Sequence, residues 1–188
     1  WYIKIMKKLL VILSVALTLK TNAQIYKAKS GGTTVNFYSK SPLEDIEATN
    51  KSAIVVLNSK TGDLQCAVTI VNFKFKNALM EEHFNENYME SEKFPKATFK
   101  GKINEPIDYT KDGETKVTVT GKMEIHGVTK DETYSGTIKK VGNELFLDCL
   151  FKVKVADYNI KVPTLYVKNI AEVIDVDYKC VLEPFEKK

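Results

Sequence analysis

The chain reads as an all-β protein, an eight-stranded antiparallel barrel with one inserted helix. Three features of the sequence predict this. Eight segments alternate apolar and polar residues with a period of two. Most are joined by short Gly, Asn or Asp turns, which suits antiparallel pairing with one solvated face. One stretch, from Ala78 to about Met89, carries its apolar residues Met80, Phe84 and Tyr88 every four positions instead, with Leu79 beside them. A sheet of eight long strands has two exposed edges, and closure into a barrel removes them. A two-sheet sandwich is the alternative.

The first 23 residues are expected to stand outside this fold as a removed signal peptide. Met6-Lys7-Lys8 precedes the apolar run LLVILSVALTL, and Thr21-Asn22-Ala23 supplies a small-residue end. The run is shorter than the about 20 residues a membrane-spanning helix needs. Cleavage after Ala23 would leave residues 24–188 as one domain, exported to the periplasm or secreted and not membrane-spanning.

The leader also holds four of the 28 basic residues, all lysines, and no acid, so the remainder balances 24 lysines against 24 acids. A neutral chain with no basic stripe argues against a nucleic-acid partner. The lack of any arginine removes the usual bidentate fork for phosphate.

In order, Thr33 to Lys40 puts Val35 and Phe37 on one face. Asp45 to Asn58 is long and broken near Asn50, and Thr61-Gly62-Asp63 turns it into Leu64 to Val71. Asn72 to Phe75 alternates into the helix. Phe94-Pro95 ends the helical stretch, because proline disfavours helical geometry in the residue before it. Ala97 to Asn104 follows, then Thr115 to His126, where Val117, Val119, Gly121, Met123 and Ile125 face one way. Residues 127–130 turn the chain into Glu132 to Lys139, and Gly142-Asn143 turns it into Glu144 to Val155. Ala156 to Ala171 is irregular, and Val173 to Glu183 is the last strand. Ala97, Gly101, Gly121 and Gly136 are small inward positions beside large ones, a mixture that permits a hollow interior.

No catalytic constellation emerges. His83 lies among Glu82, Glu86 and Glu90, but no second histidine sits at helical spacing and neither HExxH nor CxxC occurs. The carboxylates read as a wetted helix face, and His126 as a histidine bonded to backbone before a glycine turn. Cys66, Cys149 and Cys180 fall at inward positions and read as buried free thiols, with a Cys149–Cys180 bridge as the rival. Asn50-Lys51-Ser52 matches a glycosylation sequon, set aside because the leader looks bacterial. No enzyme, metal or cofactor is expected.

Two blocks carry a resemblance. His83-Phe84 followed by Phe94-Pro95-Lys96-Ala97-Thr98-Phe99, and the run Gly121-Lys122-Met123-Glu124-Ile125-His126-Gly127-Val128-Thr129-Lys130, resemble the YceI-like family of exported polyisoprenoid- or lipid-binding proteins. Ser39-Lys40 stands where many members have a histidine, and Thr33-Thr34-Val35 where they have a His-Ser pair, which points to a divergent subgroup. The resemblance implies a lipocalin-like barrel with the helix at one end and an isoprenoid or other long-chain lipid in its tunnel.

The expected lining is Phe37, Phe73, Phe75, Phe99, Met123, Ile125, Leu147 and Phe151, with Leu79, Phe84 and Tyr88 as a helical cap. Asp157-Tyr158 and the Pro163 loop are candidate elements of the mouth. The function expected is that of a carrier or sequestering protein; the alternative is a structural or stress-related envelope module with a filled core. Whether the barrel forms a homodimer is open.

Overall fold

The computed structural model describes residues 24–40, 45–161 and 171–185. The expected signal peptide and the Pro163 loop lie outside the described residues. Ten strand segments alternate in sequence with turns: β1 (Ile25–Ser39), β2 (Ile46–Asn50), β3 (Ile54–Asn58), β4 (Asp63–Thr69), β5 (Lys74–Phe75), β6 (Lys96–Ile103), β7 (Gly113–Ile125), β8 (Val128–Val141), β9 (Glu144–Lys154) and β10 (Val173–Pro184). Helix α1 (Ala78–His83) stands between β5 and β6.

Antiparallel pairing runs β1–β3–β4–β6–β7–β8–β9–β10 and closes by β10 on β1. β2 and β5 are not extra walls. The outer half of β1 pairs with β2 and its first residues with β3, while β5 continues β4 beside β2. Each pair is one wall strand with a break, so the barrel has eight walls. A 13-residue strand such as β7 spans about 40 Å.

The break near Asn50 has a physical cause. Asn50 is fully buried; its amide donates to the Thr69 carbonyl at 2.9 Å, and its Oδ1 accepts from the backbone N–H and the hydroxyl of Ser52. One side chain thus fills the backbone bonds that both broken strands lose. It is no acceptor for a glycan.

Other boundaries shift from expectation. β1 begins at Ile25, and its pairing with β10, present on both sides, is irregular between Ala28 and Thr33. The turn expected at 127–130 is tighter: Ile125 pairs with Val128, leaving only His126 (φ 51°) and Gly127 (φ 73°) between the strands. Positive φ at both positions is the hairpin geometry that matches strand twist.

The helical stretch also differs. After Asn77, whose side chain caps the Leu79 N–H at 2.9 Å, α1 is short and passes into a π turn at Phe84–Tyr88. Pro95 then sends the chain into β6, as the sequence indicates. At the same end, Asn72 closes a 3-10 turn (Ile70–Asn72) where an extended segment was expected.

The core is uneven along the barrel axis. At the end away from α1, Tyr26, Leu57, Leu64, Ile103, Val117, Ile138, Leu145 and Leu182 pack as one cluster, with Leu57, Leu145 and Leu182 wholly shielded. At the helix end two smaller clusters lie against the walls, one around Phe99, Met123 and Val153 and one around Val35, Val68 and Phe73. One half of the barrel is filled and the other is lined.

β8 pairs with β7 from end to end, yet with β9 only over residues 136–141. Toward the helix end these two walls splay, and a 3-10 turn (Val155–Tyr158) folds back along the seam. Tyr158 is 2% exposed, and its hydroxyl donates to Glu132 on β8 at 3.3 Å. Lys130 on β8 pairs with Asp157 at 2.9 Å. The expected mouth pair Asp157-Tyr158 is therefore a strap across the seam.

Candidate ligand cavity

The lined half of the barrel encloses a cavity of about 490 Å³, within the usual range of small-molecule sites. Alternation along each wall points one residue in two at it. The structure places all eleven expected residues on its wall: Phe37, Phe73, Phe75, Leu79, Phe84, Tyr88, Phe99, Met123, Ile125, Leu147 and Phe151. Leu64, Val117 and Ile138, the upper layer of the filled end, form its floor.

Two aromatic groups face each other across it. Phe84, delivered by the π turn, lies 5.3 Å from the Phe37 ring, 5.7 Å from Phe73 and 5.0 Å from Phe75. These are normal aromatic contact distances, so Phe84 locks the helical segment to β1 and β5. Across the cavity Tyr134 sits 5.7 Å from Phe99 and 4.6 Å from Phe151. At the rim Leu79 is 56% exposed while still lining the cavity, so the helical segment forms an edge and not a sealed plug. Lys74 and the Phe75 N–H both bond Glu81, which holds its carboxyl below the usual carboxylate range and pins α1 to β5.

The small inward residues divide. Ala97 and Gly136 line the cavity; Gly101 and Gly121 do not. They face each other in the β6–β7 ladder, and a Cβ on Gly121 would fall 2.3 Å from the Gly101 Cα. Their smallness serves close strand approach, with the Phe99 ring laid over Gly101.

Sequence reasoning missed Tyr134, Tyr178, Met80 and Met89 as lining residues. Alternation could have found Tyr134, which lies opposite the inward Val119, and Tyr178, which lies opposite Val35. Met89 needed the π turn, which no spacing rule announces.

All three cysteines are free thiols, so the Cys149–Cys180 bridge is not formed. Cys149 lies opposite Tyr178, and Cys180 opposite Leu147. Burial pushes the thiols up, Cys66 and Cys180 to about 12 and Cys149 to about 11. Burial, reinforced by the neighbouring thiols, also holds the Tyr178 hydroxyl well above its ordinary value. Neutral thiols are poor nucleophiles and poor metal ligands. Among the described residues no three His, Cys, Asp or Glu side chains come together as a metal set. What the arrangement offers a ligand is apolar surface closed off from water on most sides.

His83 lines the cavity near the rim; His126 does not. His126 is buried behind Ile125, with Nδ1 3.2 Å from the Tyr158 carbonyl oxygen and Nε2 2.8 Å from Glu90 Oε2. The backbone bond is the one the sequence suggested. Glu90 stays on the exposed face the sequence assigned to it, and one of its carboxylate oxygens turns inward to meet the ring.

Among the described residues no helix is long and apolar enough to cross a membrane. A search of curated proteins returns no match. Solved structures do match. A polyisoprenoid binding domain from Saccharophagus degradans, implicated in plant cell wall breakdown, aligns over 85% of this chain and 98% of its own at 15% identity, with a TM-score of 0.74. BcnA of Burkholderia cenocepacia aligns over 82% of this chain and 98% of its own at 20% identity, TM-score 0.69. The YCEI protein of Campylobacter jejuni aligns over 72% and 81% at 18% identity, TM-score 0.54. At such identities the likeness is one of fold. The family model for the YceI-like domain matches residues 26–182, from the first residues of β1 to within two residues of the end of β10, and the chain therefore belongs to the YceI-like family.

Proposed function

We propose that this protein is an exported carrier or sequestering protein that holds a long-chain isoprenoid or similar amphiphilic lipid inside the barrel, and that it binds without catalysing a reaction. The observation that carries this reading is the hollow, aromatic-lined half of the barrel above a packed floor. Each methylene moved from water into such a space gains about 0.8 kcal/mol. A tail needs no polar partner, and the wall offers few. A related fold is described as a polyisoprenoid binding domain, which supports the same ligand class. A cavity of about 490 Å³ weighs against the alternative of an envelope module with a filled core. The leader-like first 23 residues support export.

Phe84 gives the test. Phe84→Asp places a carboxylate among three phenyl rings at the rim, and retention of a pyrene-labelled hexadecyl chain is expected to fall about tenfold or more. Glu82→Ala, on the exposed helix face, is the control. Equal retention in the two variants would refute lipid binding at this site.

A further inference from the structure

Among the described residues, three that are not glycine adopt positive φ: Glu90 (43°), His126 (51°) and Asn159 (55°). Such angles are uncommon outside glycine and cost energy that the surrounding structure must offset. All three meet at one junction. The His126 ring reaches Glu90 through Nε2 and the carbonyl of Tyr158, the residue before Asn159, through Nδ1. One imidazole thus joins the exit of the helical segment, the β7–β8 turn and the strap on the β8–β9 seam.

The chemistry of its partners fixes what the ring must supply. A carboxylate and a carbonyl oxygen are both acceptors, and a neutral imidazole has a single N–H. To satisfy both at 2.8 and 3.2 Å, the ring needs a proton on each nitrogen. The charged groups around it fall on every packed element. Glu90 faces the ring directly, and Lys93 lies 3.9 Å from its other oxygen and 4.8 Å over the Phe94 ring. Phe94 in turn lies 4.4 Å from His126. On the seam, Lys130 pairs with Asp157, and Glu132 accepts from Tyr158. Three cavity-lining residues, Met89, Ile125 and Ile160, sit within two positions of these contacts.

We propose that His126 is a proton-dependent clasp on the cavity rim: with both ring nitrogens protonated it holds the helical segment and the strap together, and on losing one proton it releases one of them. A ring with a single N–H leaves one of its two acceptors without a donor, so release is coupled to the protonation of the ring. The clasp stands on the geometry alone; its effect on a ligand rests on the lipid-binding reading above.

The test uses the whole protein labelled with ¹⁵N-histidine, its two histidines assigned with His126→Gln, together with the dissociation rate of the pyrene-labelled hexadecyl chain. The His126 spectrum is expected to show two protonated nitrogens near pH 5.5, and release to quicken about tenfold by about pH 8.5. Glu90→Gln separates a proton clasp from a merely structural contact. Its amide N–H can donate to an unprotonated Nε2, so release should become slow and insensitive to pH. A singly protonated His126 near pH 5.5 overturns the clasp, as does unchanged pH dependence in Glu90→Gln. Release indifferent to pH in the native protein overturns the gating alone, whereas failure of the probe to bind at any pH overturns the gating and the lipid-binding reading together.

Discussion

Cys66 shows how burial sets the chemistry of the interior. It sits on β4 with its side chain toward the cavity, away from bulk water, and a thiolate there would have no solvation and no cation nearby. Its folded pKa of about 12 against an ordinary 9.0 means that the native state keeps a proton the unfolded chain gives up. The contribution to stability is therefore complete below about pH 9 and is lost progressively as pH rises toward 12, with Cys180 adding in the same window. Two outcomes are expected. A thiol reagent at pH 8 should count almost no reactive cysteine in the native protein and three after denaturation. The urea midpoint should fall between pH 8 and about 10.5, and fall less in Cys66→Ala. Rapid labelling of Cys66 in the native protein would show that the interior is open to water.

Among the elements, the β6–β7 ladder and the helical segment do different jobs. The ladder depends on the Gly101–Gly121 contact. Gly121→Ala would set a methyl carbon against the Gly101 backbone and the Lys100 carbonyl, both at 2.3 Å. Neither is a flexible side-chain tip, so the walls must part, and a loss of about 2 kcal/mol or more is expected by thermal or chemical denaturation. Gly113→Ala, with open space around it, should cost little by comparison.

The same elements show what the sequence could reveal. The succession of strands, the break at Asn50 and the Pro95 corner were legible because each follows from a local rule: alternation, a polar residue interrupting an apolar run, and the geometry before proline. The use of Gly101 and Gly121 for close approach was not, since a small inward residue reads the same whether it faces a void or another backbone. The π turn and the Glu90–His126 bond were also hidden. One depends on packing of Phe84 against three rings, the other on two residues 36 positions apart in the chain. Long-range polar pairs leave no periodic trace.

For the whole molecule, the central feature is a barrel filled at one end and lined at the other. Leu57, Leu145 and Leu182 seal the end away from the helix, and Phe37, Phe73, Phe75 and Phe84 surround the rim at the helix end. A cavity of this size without an occupant would cost stability, because its lining lacks contacts on one side. An apolar chain supplies those contacts. The most direct measurement is mass spectrometry of an organic extract of the protein purified from the cells that make it. The account predicts a long-chain lipid at close to one molecule per barrel, depleted in Phe84→Asp. An extract free of lipid, from protein that remains folded and stable, would contradict it.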